Sequence, residues 1–166
     1  VRPHSTATRR KIMAVEMIYH VGFVVSDVEK SLKWYTEVLG LTVERPIREL
    51  SGDWISAVTG FEGSRMKMAW VGVGGQASIE LDQYVTPEGS DDPPTPRQND
   101  VRASHVGVQV DDVHAEYERM SALGVKFAGP PPVKLDNEFP WANCAVFLQD
   151  PDGNWIELLE RPAPKS

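Results

Sequence analysis

The chain has one cysteine in 166 residues, no long apolar run and no excess of basic charge. A lone thiol, Cys144, excludes an intrachain disulfide framework and any metal site built from several thiolates of one chain. The expected compartment is therefore the reducing cytoplasm, with Cys144 read as a small buried apolar residue. No stretch approaches the ~20 apolar residues that cross a bilayer, and no basic-then-apolar signal pattern opens the sequence. Lys and Arg number 17 against 24 Asp and Glu, a net charge of −7, so the broad cationic surface that nucleic acid or an anionic membrane requires is missing. A small anionic substrate stays open.

What is present is the composition of an ordinary globular protein, 41% hydrophobic and 25% charged. A chain of this length buries roughly 70% of its unfolded surface, enough for a core without staples. The opening residues, "VRPHSTATRRKI", are polar and patternless, so residues 1–15 are expected to be a disordered extension.

The informative feature is an internal repeat. "HVGFVVSDVEKSLKWYTEVLGLTV" from His20 aligns with "HVGVQVDDVHAEYERMSALGVKF" from His105, at an offset of 85 that holds without a gap from His20/His105 to Val28/Val113. "SIELDQY" and "NWIELLE" then end the two copies, placing Glu80 60 residues after His20 and Glu157 52 after His105. The expected organisation is a first module over 16–85, a Pro-rich linker over 86–103, a second module over 104–162 and a short tail, 163–166.

Each copy reads as a strand, a capped helix and three further strands. Val21, Phe23 and Val25 alternate with His20, Gly22 and Val24, the period of a half-buried strand. Ser26-x-x-Glu29 has the form of a capping box, and Val28, Leu32, Tyr35 and Leu39 make one apolar stripe that Gly40 ends. In the second copy Asp111 or Asp112 caps, Val113, Tyr117, Met120 and Leu123 form the stripe, and Gly124 stops it. Later strands are expected near 41–49, 65–73 and 77–85, then 125–128, 143–149 and 154–160. "GPPPVK", 129–134, reads as a stiff loop, and "DPDG", 150–153, as a tight turn.

Alternation then sorts the acids. If Ile79, Leu81, Ile156 and Leu158 lie under the helices, Glu80 and Glu157 face away from them, and so do His20 and His105. Two carboxylates sharing such a face repel each other and are costly to desolvate. A divalent cation removes both problems. Two imidazoles with two carboxylates suit zinc, nickel, cobalt, iron or manganese, and not calcium, which prefers all-oxygen shells. Glu44, Asp82 and Glu160 are read as neighbours or solvated residues, His114 as a helix-surface residue and His4 as part of the extension. Arg45, Arg48, Arg65 and Lys67 are candidates for contact with a substrate's carboxylates or phosphates.

The pieces "YHVGFVVSDVEKSLKWYTEVLGLTV", "ASIELDQY", "ASHVGVQVDDVHAEY" and "FLQDPDGNWIELLE" give residues 16–162 a resemblance to the vicinal oxygen chelate superfamily. That group includes lactoylglutathione lyase, methylmalonyl-CoA epimerase, extradiol dioxygenases and bleomycin-resistance proteins. The resemblance implies an α+β fold in which two tandem βαβββ modules form a cup, a partly open β-barrel, around one metal ion. It implies His20, Glu80, His105 and Glu157 as ligands, with Glu157 as the first choice of catalytic base and Glu80 as the second proton carrier. The metal implied is nickel, zinc or cobalt, with iron or manganese as alternatives. The expected activity is that of a lyase or isomerase acting on an α-oxygenated carbonyl or thioester, such as a glutathione or coenzyme A conjugate, in a homodimer. An epimerase, a ring-cleaving dioxygenase and a non-catalytic drug binder are the other readings.

Overall fold

The computed structural model describes residues 16–90, 96–135 and 139–162. The expected extension at 1–15, the middle of the linker and the tail at 163–166 lie outside them. The first half runs β1 (Val21–Val24), α1 (Val28–Glu37), β2 (Thr42–Ser51), α2 (Asp53–Thr59), β3 (Arg65–Val73) and β4 (Gln76–Thr86). The second runs β5 (His105–Val110), α3 (Val113–Ala122), β6 (Val133–Lys134), β7 (Cys144–Gln149) and β8 (Trp155–Glu160). Their sheets have the same order, β1-β4-β3-β2 and β5-β8-β7-β6, with the first and last strands of each module parallel and the other neighbours antiparallel. The fold is α+β with two tandem βαβββ modules, and the sheets do not close into a barrel.

Both helix-side faces drain into one core. Ile79, Leu81, Ala69 and Val71 from the first sheet join Val146, Leu148, Ile156 and Leu158 from the second, together with Val28 and Tyr35 of α1 and Val113 and Met120 of α3. Leu81, Ile156 and Leu158 are fully buried. Each such side chain contributes roughly 1.5–3 kcal/mol by leaving water, and this burial fixes strand register because a one-residue slip would exchange it for a glutamate.

The modules are tied through α1 and the β7–β8 turn. Tyr35 Oη donates to Asp150 Oδ2 at 2.9 Å, and Asp150 also accepts from the Asp152 and Asn154 backbone N–H groups and the Asn154 side chain. Asp150 thus closes the Pro-Asp-Gly turn on itself while anchoring the other module. Burial pushes its carboxyl upward, offset in part by these donors, and burial with the nearby Asp150 charge pushes the Tyr35 phenol up as well. Ser26 and Ser31 donate to Asp152 across the same seam.

That seam corrects the cap expected at Ser26, whose hydroxyl is committed to Asp152. Asp27 caps α1 instead by accepting from Lys30 N, as Asp112 caps α3 through Ala115 N. Two further differences concern loops. Helix α2 lies between the strands expected at 41–49 and 65–73, where no element was assigned; it is bounded by Gly52 and by Gly60 at φ 76, a left-handed stop. The strand expected at 125–128 is reduced to a single bridge, Phe127 to Leu148, and pairing resumes only at Val133–Lys134, after three prolines that offer no N–H to a ladder.

Tyr35→Phe removes a charge-assisted donor from a buried carboxylate and is expected to cost about 1.5–3 kcal/mol. Thermal unfolding should show Tm lowered by several degrees; an unchanged Tm would mean that this seam does not hold the modules together.

Candidate metal centre

The helix-free face of each sheet is built in rows, since residues paired on adjacent strands point to the same side. In the first sheet Glu80 of β4 pairs Trp70 of β3, which pairs Arg45 of β2, while Gly22 of β1 lies on the other side of Glu80. The next row is Val24, Asp82, Met68 and Arg48. In the second sheet Glu157 lies between Gly107 and Phe147, and Leu159 between Gln109 and Ala145.

Each module brings its histidine to its glutamate. His20 Nε2 lies 2.8 Å from Glu80 Oε2, and His105 Nε2 lies 3.5 Å from Glu157 Oε2. The glutamates are the more enclosed partners, with side chains 11% and 22% exposed, against 33% and 46% for the histidines. Each carboxylate is thus set deeper into the wall than the imidazole beside it.

An aromatic ring steadies each imidazole edge-on: Trp70 against His20 at 4.6 Å between ring centres, and Phe147 against His105 at 5.1 Å. Each ring stands ten residues before its module's glutamate. Trp70 was among the aromatic residues expected either to line a pocket or to pack in the core or a dimer interface, whereas Phe147 was not singled out; the shared spacing was the signal for it. Glycine lies beneath both carboxylates, for a Cβ on Gly22 or on Gly107 would come to 4.0 Å from Glu80 Oε2 or Glu157 Oε2. The floor is thus kept free of side chains in both modules.

Imidazole nitrogen beside carboxylate oxygen is a donor set that fits a borderline divalent cation. The four residues nevertheless arrive as two pairs. Among the described residues no group of three or more His, Cys, Asp or Glu side chains could hold a metal ion. The reason lies in the core: because the helix-side faces of both sheets share one interior, the helix-free faces with their His–Glu pairs stay on the outside of it.

The other candidates fall into place around this. Glu160 accepts from Val113 N at the start of α3, and Glu44 accepts from Thr42 and from Gly75 N, so both serve local structure. Lys67 is bound to Glu29 at 2.8 Å. Arg45 donates to Tyr19 Oη and lies 4.8 Å above the Trp70 ring, at the edge of the Glu80 row. Trp155 turns its Nε1 to Pro96 O, fastening the end of the linker to β8. Asp82 stays on the site face, its carboxyl pushed up to about 7, first by burial and then by the charge of Glu80.

Residues 17–158 match the family model of the Glyoxalase/Bleomycin resistance protein/Dioxygenase superfamily. The chain belongs to that superfamily. It is similar to a 2-epi-5-epi-valiolone epimerase of Actinomyces sp, 26% identical over 159 residues, spanning 94% of this chain and 85% of that one. It is also similar to the lactoylglutathione lyase of Haemophilus influenzae, 27% identical over 158 residues, with 90% and 96% covered. The crystal structure of a glyoxalase family protein from Bacillus cereus superposes with a TM-score of 0.76 at 22% identity, covering 90% of this chain and 97% of that one, which supports the fold. Among the described residues no helix is long and apolar enough to cross a membrane.

The raised Asp82 carboxyl has a stability consequence. The folded protein holds this proton up to about pH 7, whereas the unfolded chain releases it near 3.8, so stability contributed by the protonated form is lost as pH rises through that window. Asp82→Asn should therefore leave the metal-free protein little changed at pH 4. At pH 8 it should stabilise it by about 1 kcal/mol, a value discounted for the side chain's partial exposure. Thermal melts at the two pH values check this; a variant that gains nothing on going from pH 4 to pH 8 contradicts it.

Proposed function

We propose that this protein is a metal-dependent lyase or isomerase of the glyoxalase I type, acting on an α-oxygenated carbonyl or thioester substrate through an enolate or enediolate. The observation that carries the reading is the repeat-equivalent pairing of His20 with Glu80 and of His105 with Glu157 on the helix-free faces. Relatives that include both a lyase and an epimerase agree with chemistry at a carbon next to a carbonyl. His20, Glu80, His105 and Glu157 would hold one nickel, zinc or cobalt ion, with iron or manganese as alternatives. When bound, such an ion polarises the carbonyl oxygen and lowers the cost of removing a proton from the neighbouring carbon.

The chain's own part is to position and carry protons. Glu157 Oε2 takes the proton from the substrate carbon, with Phe147 and Leu159 on the same wall beside it. Glu80, once protonated from solvent, returns that proton to the other face for isomerisation, and the proton on Glu157 leaves to solvent. Trp70 and Phe147 hold the imidazoles in place, and Arg45 and Arg48 supply positive charge at the rim for the carboxylates of a glutathione conjugate or the phosphates of a coenzyme A conjugate. A homodimer completes the site. With the two pairs of one chain on the outside of its core, a second copy related by a two-fold axis sets its His105 and Glu157 against His20 and Glu80, and the same contact repeats in reverse.

The test is metal retention followed by proton exchange. After loading and dialysis the protein should keep about one nickel, zinc or cobalt ion per chain, and His20→Ala or Glu80→Gln should weaken retention at least about tenfold. With methylglyoxal plus glutathione, or with methylmalonyl-CoA, the loaded protein should exchange the substrate C–H for deuterium. Glu157→Gln should slow this by roughly 10²–10⁴-fold. Full turnover by Glu157→Gln with metal retained would remove Glu157 as the base. Oxygen consumption with a catechol would replace this reading by ring cleavage, and tight drug binding without turnover would replace it by sequestration.

A further inference from the structure

The two histidines start from unequal footing. Tyr19 and His20 stand just before β1, whose ladder with β4 begins at Val21 and Ile79. His105 instead opens β5 and is paired with Trp155 of β8. Yet His20 is the imidazole nearer its glutamate, 2.8 Å against 3.5 Å, and the less exposed of the two. Side chains must supply what the ladder does not.

Three rings close on one another at that point. His20 lies 4.6 Å from Trp70 and 5.5 Å from Tyr19, and Tyr19 lies 5.9 Å from Trp70, each pair edge-to-face. Arg45 joins the two rings that flank the imidazole: its Nη2 donates to Tyr19 Oη at 2.9 Å, and its guanidinium carbon lies 4.8 Å from the Trp70 ring centre. A planar guanidinium can face an indole and donate a hydrogen bond at once, which an ammonium cannot do with the same geometry. Strand β2 is shaped around this residue. Its register against β3 shifts between Val43 and Arg45 and again between Arg45 and Arg48, with Pro46, which has no N–H to give a ladder, in the second gap. Such irregularities re-aim a side chain and are frequent beside functional sites.

The second module is built without this device. Ser104 precedes His105 where Tyr19 precedes His20, and among the described residues Phe147 is the ring neighbour of His105, with no cation over it.

We propose that Arg45 is a positioning residue for His20, clamping Tyr19 and Trp70 together so that the imidazole stays turned to Glu80. The inference rests on the reading of His20 and Glu80 as half of the functional site. Among the described residues Arg45 makes no ion pair with Glu80, so it acts through the two rings. A side chain held this way enters a ligand contact with its geometry already set and less freedom left to lose. The backbone ladder gives His105 its place; the Arg45 clamp gives His20 its own.

Histidine-ring NMR of the metal-free protein, without substrate and at about pH 8.5, above the ordinary imidazole range, reads the clamp apart from any charge Arg45 offers a ligand. His20→Gln assigns the signals. In the wild type the ring currents of Trp70 and Tyr19 should displace the His20 ring signals from free-histidine positions. Arg45→Ala should remove most of that displacement and increase the ring's mobility by carbon relaxation, with the His105 signals unmoved. Arg45→Lys should keep only part of the displacement. Tyr19→Phe, which retains the ring and loses the accepting oxygen, should shift His20 in the same direction, and the double variant should show less than the sum of the two. Unmoved His20 signals in Arg45→Ala, equal movement at His105, or strict additivity with Tyr19→Phe would overturn the assignment. Metal retention by His20→Ala reports separately on the ligand role, so a failed clamp and a failed metal site are distinct results.

Discussion

Ile79 and Leu81 in β4, and Ile156 and Leu158 in β8, are withdrawn from water against α1 and α3, and what the other face of each sheet can do depends on that. Strand geometry allows no compromise: with the isoleucine and leucine inside, the glutamate between them points out of the core. Parallel pairing of the first and last strands then sets Gly22 beside Glu80 and Gly107 beside Glu157, so the histidine one residue before each strand glycine's neighbour reaches the glutamate. The polar pairs are products of apolar burial.

The same burial decides where the pairs sit. The modules share one core and are stitched by Tyr35, Asp150, Asp152 and two serines of the α1 region, and among the described residues the two His–Glu pairs do not come together as one ligand group. Each module repeats a His–Glu pair over a glycine, while the next row differs, with Val24, Asp82 and Met68 in the first sheet against Gln109, Leu159 and Ala145 in the second. Trp70 and Phe147 add a steric reason for the histidines' placement that the ligand chemistry alone does not supply.

Much of this was legible in the residues. The repeat from His20 and His105 marked both modules, and the alternation in "IEL" told the core face from the site face because burial of branched side chains admits one register. Helix starts were legible to within a residue, yet Ser26 was the wrong cap: its hydroxyl had a better partner, Asp152, 126 residues away, which no local rule can see. Helix α2 went unread because its seven residues are too few for an apolar stripe, and only Gly52 and Gly60 announced its ends. The strand at 125–128 failed since its neighbouring prolines withhold donors, a constraint visible in "GPPPV" but outweighed by the apolar pattern before it. The aromatic rests are properties of rows across strands, and rows are set by register that a single strand does not encode.

The central claim, that each site is assembled from the first module of one copy and the second module of another, is tested most directly by subunit complementation. One variant carries His20→Ala with Glu80→Ala, the other His105→Ala with Glu157→Ala, and neither alone should retain metal. Co-expressed, they should recover about a quarter of the wild-type metal content, because random pairing gives half of the dimers a single intact site. Mixed dimers that form and still hold no metal would contradict the account.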